Sequence, residues 1–148
     1  MILTILQWNI NSYTNNYIEL QELIKTHSTK IICLQETHIH SRLNIPINYI
    51  MYDLNTSSTR YGGVVILVHK SLEHKLTFTS DDFDVIGMEI KSRMKLNLNN
   101  VYFSPSTNFD GSVFDSLFGD YSPSVIVTVL IGAGAPLLII IGAYCLNF

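Results

Sequence analysis

An apolar run that ends at an acid limits the fold of this chain more than any other feature. Residues 31–35 read Ile-Ile-Cys-Leu-Gln, and residues 36–38 continue as Glu-Thr-His. A run of this length and β-branched character predicts a buried strand. The abrupt change to polar residues predicts that this strand delivers a carboxylate, that of Glu36, to the edge of a sheet.

Two other apolar runs also end at a polar side chain. The run from Ile2 to Trp8 ends at Asn9, and a later run carries Val101 into Tyr102. Three strand ends that hold polar groups indicate a site.

The segment between the first two strands predicts a helix. Apolar residues recur on one face from Ile18 to His27, and Asn15 or Asn16 can cap the start. A strand, a helix and a strand within about thirty residues make a crossover that leaves the two strands parallel. Asn9 and Glu36 are therefore expected at the same edge of the sheet.

The middle of the chain predicts further strands, the last three of which form a meander. The glycine pair 62–63 precedes a β-branched run expected to be a central strand, and it allows close backbone approach or a bulge at the start of that strand. A short helix is predicted over residues 112–118. The predicted strands are Tyr49–Leu54, Val64–His69, Leu76–Ser80, Val85–Ile90 and Leu96–Phe103.

Composition indicates one folded domain without a global attraction to nucleic acid. The 148 residues are 47% hydrophobic and 14% charged, which allows a real core. The formal net charge of −3 requires any contact with DNA to use a local patch. Cys33 and Cys145 form neither a disulfide framework nor a zinc site, which favours unpaired thiols in a reducing compartment.

Residues 125–146 carry no charged side chain and leave two interpretations open. Their length and hydropathy would allow a transmembrane helix, and hence membrane association. Pro136 in the middle of the run and the absence of basic flanks argue against it, and Val125 to Leu130 alone would fit one more buried strand.

Four segments, taken together, resemble a known family in order and spacing: LQWNIN at 6–11, ICLQETH at 32–38, GGVVILV at 62–68 and VYFSP at 101–105. They resemble the endonuclease/exonuclease/phosphatase superfamily, and most of all the apurinic-type endonuclease domain of non-LTR retrotransposons. The resemblance implies an α/β fold, a four-layer sandwich of two mixed sheets flanked by helices, C-terminally truncated here. Residues 1–124 would be a partial domain of this type, and 125–148 an apolar tail.

The resemblance also implies roles for individual residues. Glu36 would be the ligand of Mg²⁺ or Mn²⁺, Asn9 would lie beside the scissile phosphate, and Tyr102 would hydrogen-bond that phosphate. The weaker candidates for positioning substrate are Asn11, His38 and Arg60.

Two motifs of the family are missing from this sequence. The family carries Gly-Asp-x-Asn, which supplies the aspartate that activates water, after the strand that follows Tyr102, and Ser-Asp-His at the end of the domain. Residues 119–122 read Gly-Asp-Tyr-Ser, but they precede the apolar run instead of following it. Residues 129–136, where the first motif is expected, read VLIGAGAP.

The function implied is a divalent-metal-dependent endonuclease that nicks target DNA for retrotransposon insertion, inside the cell in nucleus or cytoplasm. Because the two motifs are missing, we expect this chain to be inactive or nearly so, with the tail arising from a frameshift or a misjoined exon. A non-catalytic remnant anchored to a membrane by the tail is the alternative. A phosphoesterase for small phosphates or lipids would need the missing motifs as well.

Overall fold

The computed structural model describes residues 2–40, 43–54, 62–80, 84–91, 95–102, 124–129 and 137–141. These residues form two β-sheets and a helix. In chain order the elements are β1 (Leu3–Asn9), α1 (Tyr17–His27), β2 (Ile31–Gln35), β3 (Tyr49–Leu54), β4 (Val64–His69), β5 (Glu73–Ser80), β6 (Asp84–Lys91), β7 (Lys95–Tyr102), β8 (Ser124–Val129) and β9 (Leu137–Ile141).

The first sheet has the strand order β3-β4-β2-β1-β9. β1 and β2 run parallel, with Ile5 opposite Ile31 and Asn9 opposite Gln35. The predicted crossover is thereby confirmed, and β4 is an interior strand with a neighbour on each side, as predicted. All other pairs in this sheet are antiparallel, so the sheet is mixed.

The second sheet has the order β5-β6-β7-β8. β5, β6 and β7 form the predicted antiparallel meander, and β8 then pairs parallel to β7, so this sheet is mixed as well. The predicted α/β class with two mixed sheets is confirmed.

Two segments of the apolar tail lie in the sheets. β8 fits the strand interpretation of Val125 to Leu130, and β9 pairs antiparallel with β1. In the part of the chain that the structure describes, no helix is long and apolar enough to cross a membrane.

Each face of the first sheet covers its own core because side chains alternate along a strand. One face packs against the second sheet, and its cluster includes Ile5, Cys33 and Leu98. The other face packs against α1, whose Leu20 is fully buried in a cluster with Trp8. The second sheet, the first sheet and the helix are therefore stacked in that order, and they form three layers of the predicted sandwich.

Buried amide side chains connect the two sheets. Gln35 donates a hydrogen bond from Nε2 to Oδ1 of Asn100. Asn100 donates from Nδ2 to the backbone oxygens of Leu34, at 3.0 Å, and Val65, at 2.9 Å. Gln35 and Asn100 are fully buried, and their amide side chains form these hydrogen bonds with each other and with the two backbone oxygens inside the core.

Some elements differ from their prediction in detail. Asn16 is the N-cap residue of α1, but its side chain donates to the backbone oxygen of Ile10 at 2.8 Å and makes no cap bond. β5 begins three residues before the predicted Leu76, because Glu73 pairs with Lys91 across the hairpin and forms an ion pair of 2.5 Å. The helix predicted over 112–118 lies outside the described residues. Cys33 is a free, buried thiol.

Replacing Asn100 by alanine tests the amide connection. The change removes two hydrogen bonds to backbone oxygens of the first sheet and leaves the Gln35 amide N–H without its acceptor, so we expect the free energy of unfolding to fall by ~2–4 kcal/mol. Urea denaturation measures this. The matched control is Asn97→Ala, on the opposite face of the same strand and half-buried, which should cost under ~1 kcal/mol. Equal losses in the two variants would contradict a special role for Asn100.

Candidate active site

One end of the sandwich collects the polar side chains predicted from the strand ends. We call this end the site rim, and it comprises Asn9–Ser12, Gln35–His38, Gly62–Gly63, Asp84 and Tyr102. β1, β2 and β7 end there, whereas β4 and β6 begin there.

The loops that follow β1 and β2 run side by side at the site rim. The backbone N–H of Ile10 donates to the oxygen of Gln35 at 3.0 Å, and that of Ser12 donates to the oxygen of Glu36 at 2.9 Å. These bonds extend the parallel pairing beyond the strands. Asn9 and Glu36 therefore lie at the same edge, as the crossover predicted.

The same loops contain backbone conformations that favour glycine but are held by other residues. φ is +50° at Glu36, +46° at His38, +45° at Asn11 and +96° at Ser12. Each such non-glycine residue costs about 1–3 kcal/mol, unless a short polar side chain such as asparagine reduces the cost. Surrounding contacts must therefore hold these loops in place.

A hydrogen bond between the two sheets joins the two principal site candidates. The phenol of Tyr102, at the end of β7, donates to Oε1 of Glu36 at 2.7 Å. Burial raises the pKa of Tyr102, and the hydrogen bond to Glu36 and the negative charges of Glu36 and Asp84 raise it further. The phenol thus stays protonated and acts as a donor across the physiological range.

The side chain of Asn9 is a buried amide at the end of β1. Its side chain is only 4% exposed, and neither Nδ2 nor Oδ1 has a hydrogen-bond partner among the described residues. An unsatisfied buried amide costs about 1–3 kcal/mol, and native proteins keep such groups where a ligand or water completes them. Asn9 therefore offers the N–H groups of Nδ2 as donors and Oδ1 as an acceptor to a ligand at the site rim.

The backbone of Gly62 and Gly63 lies against the Glu36 loop. Thr37 donates its N–H to the oxygen of Gly63 at 3.3 Å, and His38 donates to that of Gly62 at 3.2 Å. Gly63 has φ of +97°, and a Cβ there would lie 2.5 Å from Oγ1 of Thr37. Only glycine fits at this position, so of the two alternatives predicted for the glycine pair the structure has the close backbone approach.

The described part of the site rim is acidic. It carries Glu36 and Asp84 but no lysine or arginine, because β6 and β7 place Lys91 and Lys95 at the opposite end. All the lysines that the structure describes lie in the half of the sandwich away from the site rim: Lys25, Lys30, Lys70, Lys75, Lys91 and Lys95. An anionic phosphodiester needs a neutralising cation to approach the carboxylates.

The sequence matches a family profile over most of its length. Residues 6–130 match the profile described as the endonuclease/exonuclease/phosphatase family. The chain belongs to this family. Among curated protein sequences no significant match was found.

Solved structures with the same fold include nucleases. The endonuclease domain of TRAS1, a telomere-specific non-LTR retrotransposon, superposes with a TM-score of 0.68 at 16% identity, over 86% of this chain and 59% of that one. The AP endonuclease LMAP from Leishmania major gives 0.58 at 16%, over 72% and 42%. A family protein from Leptotrichia buccalis C-1013-b gives 0.58 at 10%, over 85% and 65%. The chain thus spans less than two thirds of each of these structures.

Enzymes of this family use divalent metals, and the donors at the site rim suit one. Glu36 supplies carboxylate oxygens and Asn9 an amide oxygen, the hard donors that Mg²⁺ and Mn²⁺ prefer. The described residues contain no group of three or more His, Cys, Asp or Glu that would hold an ion alone. Mg²⁺ is commonly held by one or two carboxylates together with water and substrate oxygens, so this sparse set fits it.

The described parts of the four segments that resemble the family thus come together at one end of the fold. Glu36, Tyr102 and Asn9 meet at the site rim. The rim loops also contain the exposed Asn11 and the half-buried His38, whereas Arg60 lies outside the described residues.

Sequence reasoning missed Asp84. This carboxylate accepts a hydrogen bond from the N–H of Gly63 at 3.1 Å and lies directly opposite Tyr102 in the β6–β7 pair. The signal lay in the hairpin predicted from Val85–Ile90 and Leu96–Phe103. If its first strand is extended by one residue to Asp84, a turn centred near residue 93 places Asp84 opposite Tyr102.

Alkaline titration of a Tyr102→Phe variant tests the state of the phenol. Near pH 7 the variant loses a bond to a carboxylate, and we expect the free energy of unfolding to fall by ~1.5–3 kcal/mol. Above pH ~10 the unfolded chain releases the tyrosine proton while the folded chain keeps it, so the wild type loses this stabilisation as pH rises toward the raised folded pKa. The difference between the two proteins in free energy of unfolding, measured by urea unfolding, should therefore narrow as pH rises above ~10. A constant difference would contradict the raised pKa.

Proposed function

We propose that the site rim binds a divalent cation, Mg²⁺ or Mn²⁺, together with a DNA phosphodiester, and that the chain derives from a retrotransposon endonuclease that nicks its target DNA. The observation that carries the proposal is the 2.7 Å bond between Tyr102 and Glu36, which brings a carboxylate and a neutral phenol together beside the unpartnered amide of Asn9. The family fold supports phosphodiester hydrolysis in general.

DNA is the substrate class best supported. Two of the three structures quoted above are a retrotransposon endonuclease domain and an AP endonuclease. The chain's net charge of −3 does not attract DNA as a whole, and the site rim is acidic where it is described. A cation at the site rim would therefore offset the repulsion between its carboxylates and a phosphodiester, which allows the phosphodiester to bind.

Each rim residue has a distinct task in this proposal. Glu36 holds the cation, which neutralises the phosphate and the leaving oxygen when bound. Tyr102 stays protonated and donates its O–H to a non-bridging phosphate oxygen, for which it exchanges its present bond to Glu36. Asn9 donates its amide N–H to the same phosphate from a buried position, where a hydrogen bond is stronger than in water.

Three further residues would position the DNA chain. Asn11 is exposed in the loop after β1, and His38 is half-buried in the loop after β2, so both can reach a strand lying across the site rim. Arg60 is assigned to this role from the family resemblance alone.

We further propose that these 148 residues by themselves turn over slowly or not at all. The aspartate that activates water in the family is expected directly after β8, and residues 129–136 hold only apolar residues, glycine, alanine and proline. A positioned general base contributes about 10²–10⁴-fold to rate, and without it the attacking water is not activated.

Metal binding tests the assignment of Glu36. Mn²⁺ titration followed by electron paramagnetic resonance should give a site that Glu36→Gln weakens at least about tenfold, because the neutral amide loses the charge attraction. Glu73→Gln is the matched control, since that glutamate pairs with Lys91 at the opposite end of the sheet and should leave the affinity unchanged. Equal affinity in all three proteins would contradict a cation at the site rim.

A plasmid-nicking assay with Mg²⁺ tests activity. We expect no nicking above that of a Glu36→Ala control, for lack of the general base. Robust nicking that Glu36→Ala abolishes would reveal a substitute base and overturn the inactive assignment, while leaving the metal site intact.

A further inference from the structure

Asp84 lies at the site rim without a role in the family resemblance. It begins β6 and is paired with Tyr102 at the end of β7. Directly opposite residues of an antiparallel pair project from the same face, with Cβ atoms about 4.5–5.5 Å apart. Because Tyr102 packs into the core between the sheets, Asp84 also faces the first sheet.

The carboxylate reaches across to that sheet. Oδ2 of Asp84 accepts a hydrogen bond from the N–H of Gly63 at 3.1 Å. Gly63 directly precedes β4, and its oxygen accepts the N–H of Thr37, the residue after Glu36. One acidic side chain of the second sheet is therefore connected, through a single residue, to the loop that carries Glu36.

The connection from Asp84 through Gly63 reaches a loop whose backbone has unfavourable conformations. Glu36 and His38 have positive φ, and Gly63 approaches Thr37 so closely that no Cβ fits between them. A hydrogen bond from a backbone N–H to a charged acceptor is about twice as strong as one to a neutral acceptor. The bond from Asp84 holds Gly63, and Gly63 in turn holds the residue that follows Glu36.

We propose that Asp84 is a positioning residue of this site: its carboxylate anchors Gly63 and thereby fixes the Glu36 loop in its cation-binding conformation against Tyr102. The inference rests on the proposed function only in taking Glu36 as the cation ligand. Asp84 acts through Gly63, and its hydrogen bond is the feature that matters, although its charge adds to the negative potential that attracts a cation.

Two substitutions separate the bond from the charge. Asp84→Asn keeps an oxygen that can accept from Gly63 but removes the charge, whereas Asp84→Ala removes both. Glu89→Ala is the matched control, an acid on the same strand that pairs with Lys95 at the far end. If Asp84→Ala does not fold, Asp84→Ser takes its place, since the shorter side chain does not reach Gly63.

Two readouts are measured on the full chain. Amide hydrogen exchange followed by NMR reports local opening at Gly63 and Thr37, with the amide of Ile66 in the core of β4 as the reference for global unfolding. Mn²⁺ binding reports the Glu36 site independently of any activity.

We expect Asp84→Ala to speed exchange at Gly63 and Thr37 by about tenfold or more relative to Ile66, and to weaken Mn²⁺ binding by a similar factor. Asp84→Asn should restore the exchange rates to within about threefold of wild type and recover most of the affinity, and Glu89→Ala should change neither.

Unchanged exchange in Asp84→Ala, or equal acceleration in Asp84→Asn, would overturn the anchoring role. Faster exchange with unchanged Mn²⁺ affinity would overturn its relevance to the cation. If the wild type binds no Mn²⁺, the proposed function fails, and the exchange rates alone decide whether Asp84 anchors the loop.

Discussion

The rest of the structure depends on a pair of buried amides between two facing sheets. Gln35 and Asn100 are fully buried, so every hydrogen bond that they exchange must be made within the protein. An apolar contact tolerates sliding, but these amides satisfy one another in one alignment only. They therefore fix how β2 lies over β7, and this register decides which residues meet where the strands end.

The site follows from that alignment. Glu36 is the next residue after Gln35, and Tyr102 is two residues after Asn100 on the same face of β7. Once the amides are aligned, the carboxylate and the phenol come within hydrogen-bond distance. The site is thus placed by the core behind it, which allows its loops to keep strained backbone angles and an unpartnered amide at Asn9.

Much of this architecture could be predicted from the sequence, because it depends on local patterns. The apolar runs predicted β1, β2 and β4 to within one residue at either end, and the crossover length placed Asn9 and Glu36 at one edge. Asp84 could not be found in this way, since its importance comes from facing Gly63 in another sheet. The start of β5 was predicted too late because a polar segment with Glu73 is held by pairing to Lys91, which overrides its low strand propensity.

The tail shows the same limit of local reasoning. An uncharged apolar run fits a membrane helix and a buried strand equally well, and periodicity does not separate them. The strand is favoured over the helix where another strand has an unpaired edge with which the run can form hydrogen bonds. β7 and β1 each offer one, and the described parts of the tail, β8 and β9, pair there.

The place of β9 also bears on how the chain reaches its final form. Leu3 pairs with Ile141, so β1 acquires this neighbour only after all the residues between the two strands have been synthesised. Until then the hydrogen-bonding groups on that side of an apolar strand are open to any other extended segment, which is the condition under which nascent chains associate wrongly. Among the strand pairs that the structure describes, synthesis therefore leaves this edge open for longest, at the strand that leads directly into the site rim.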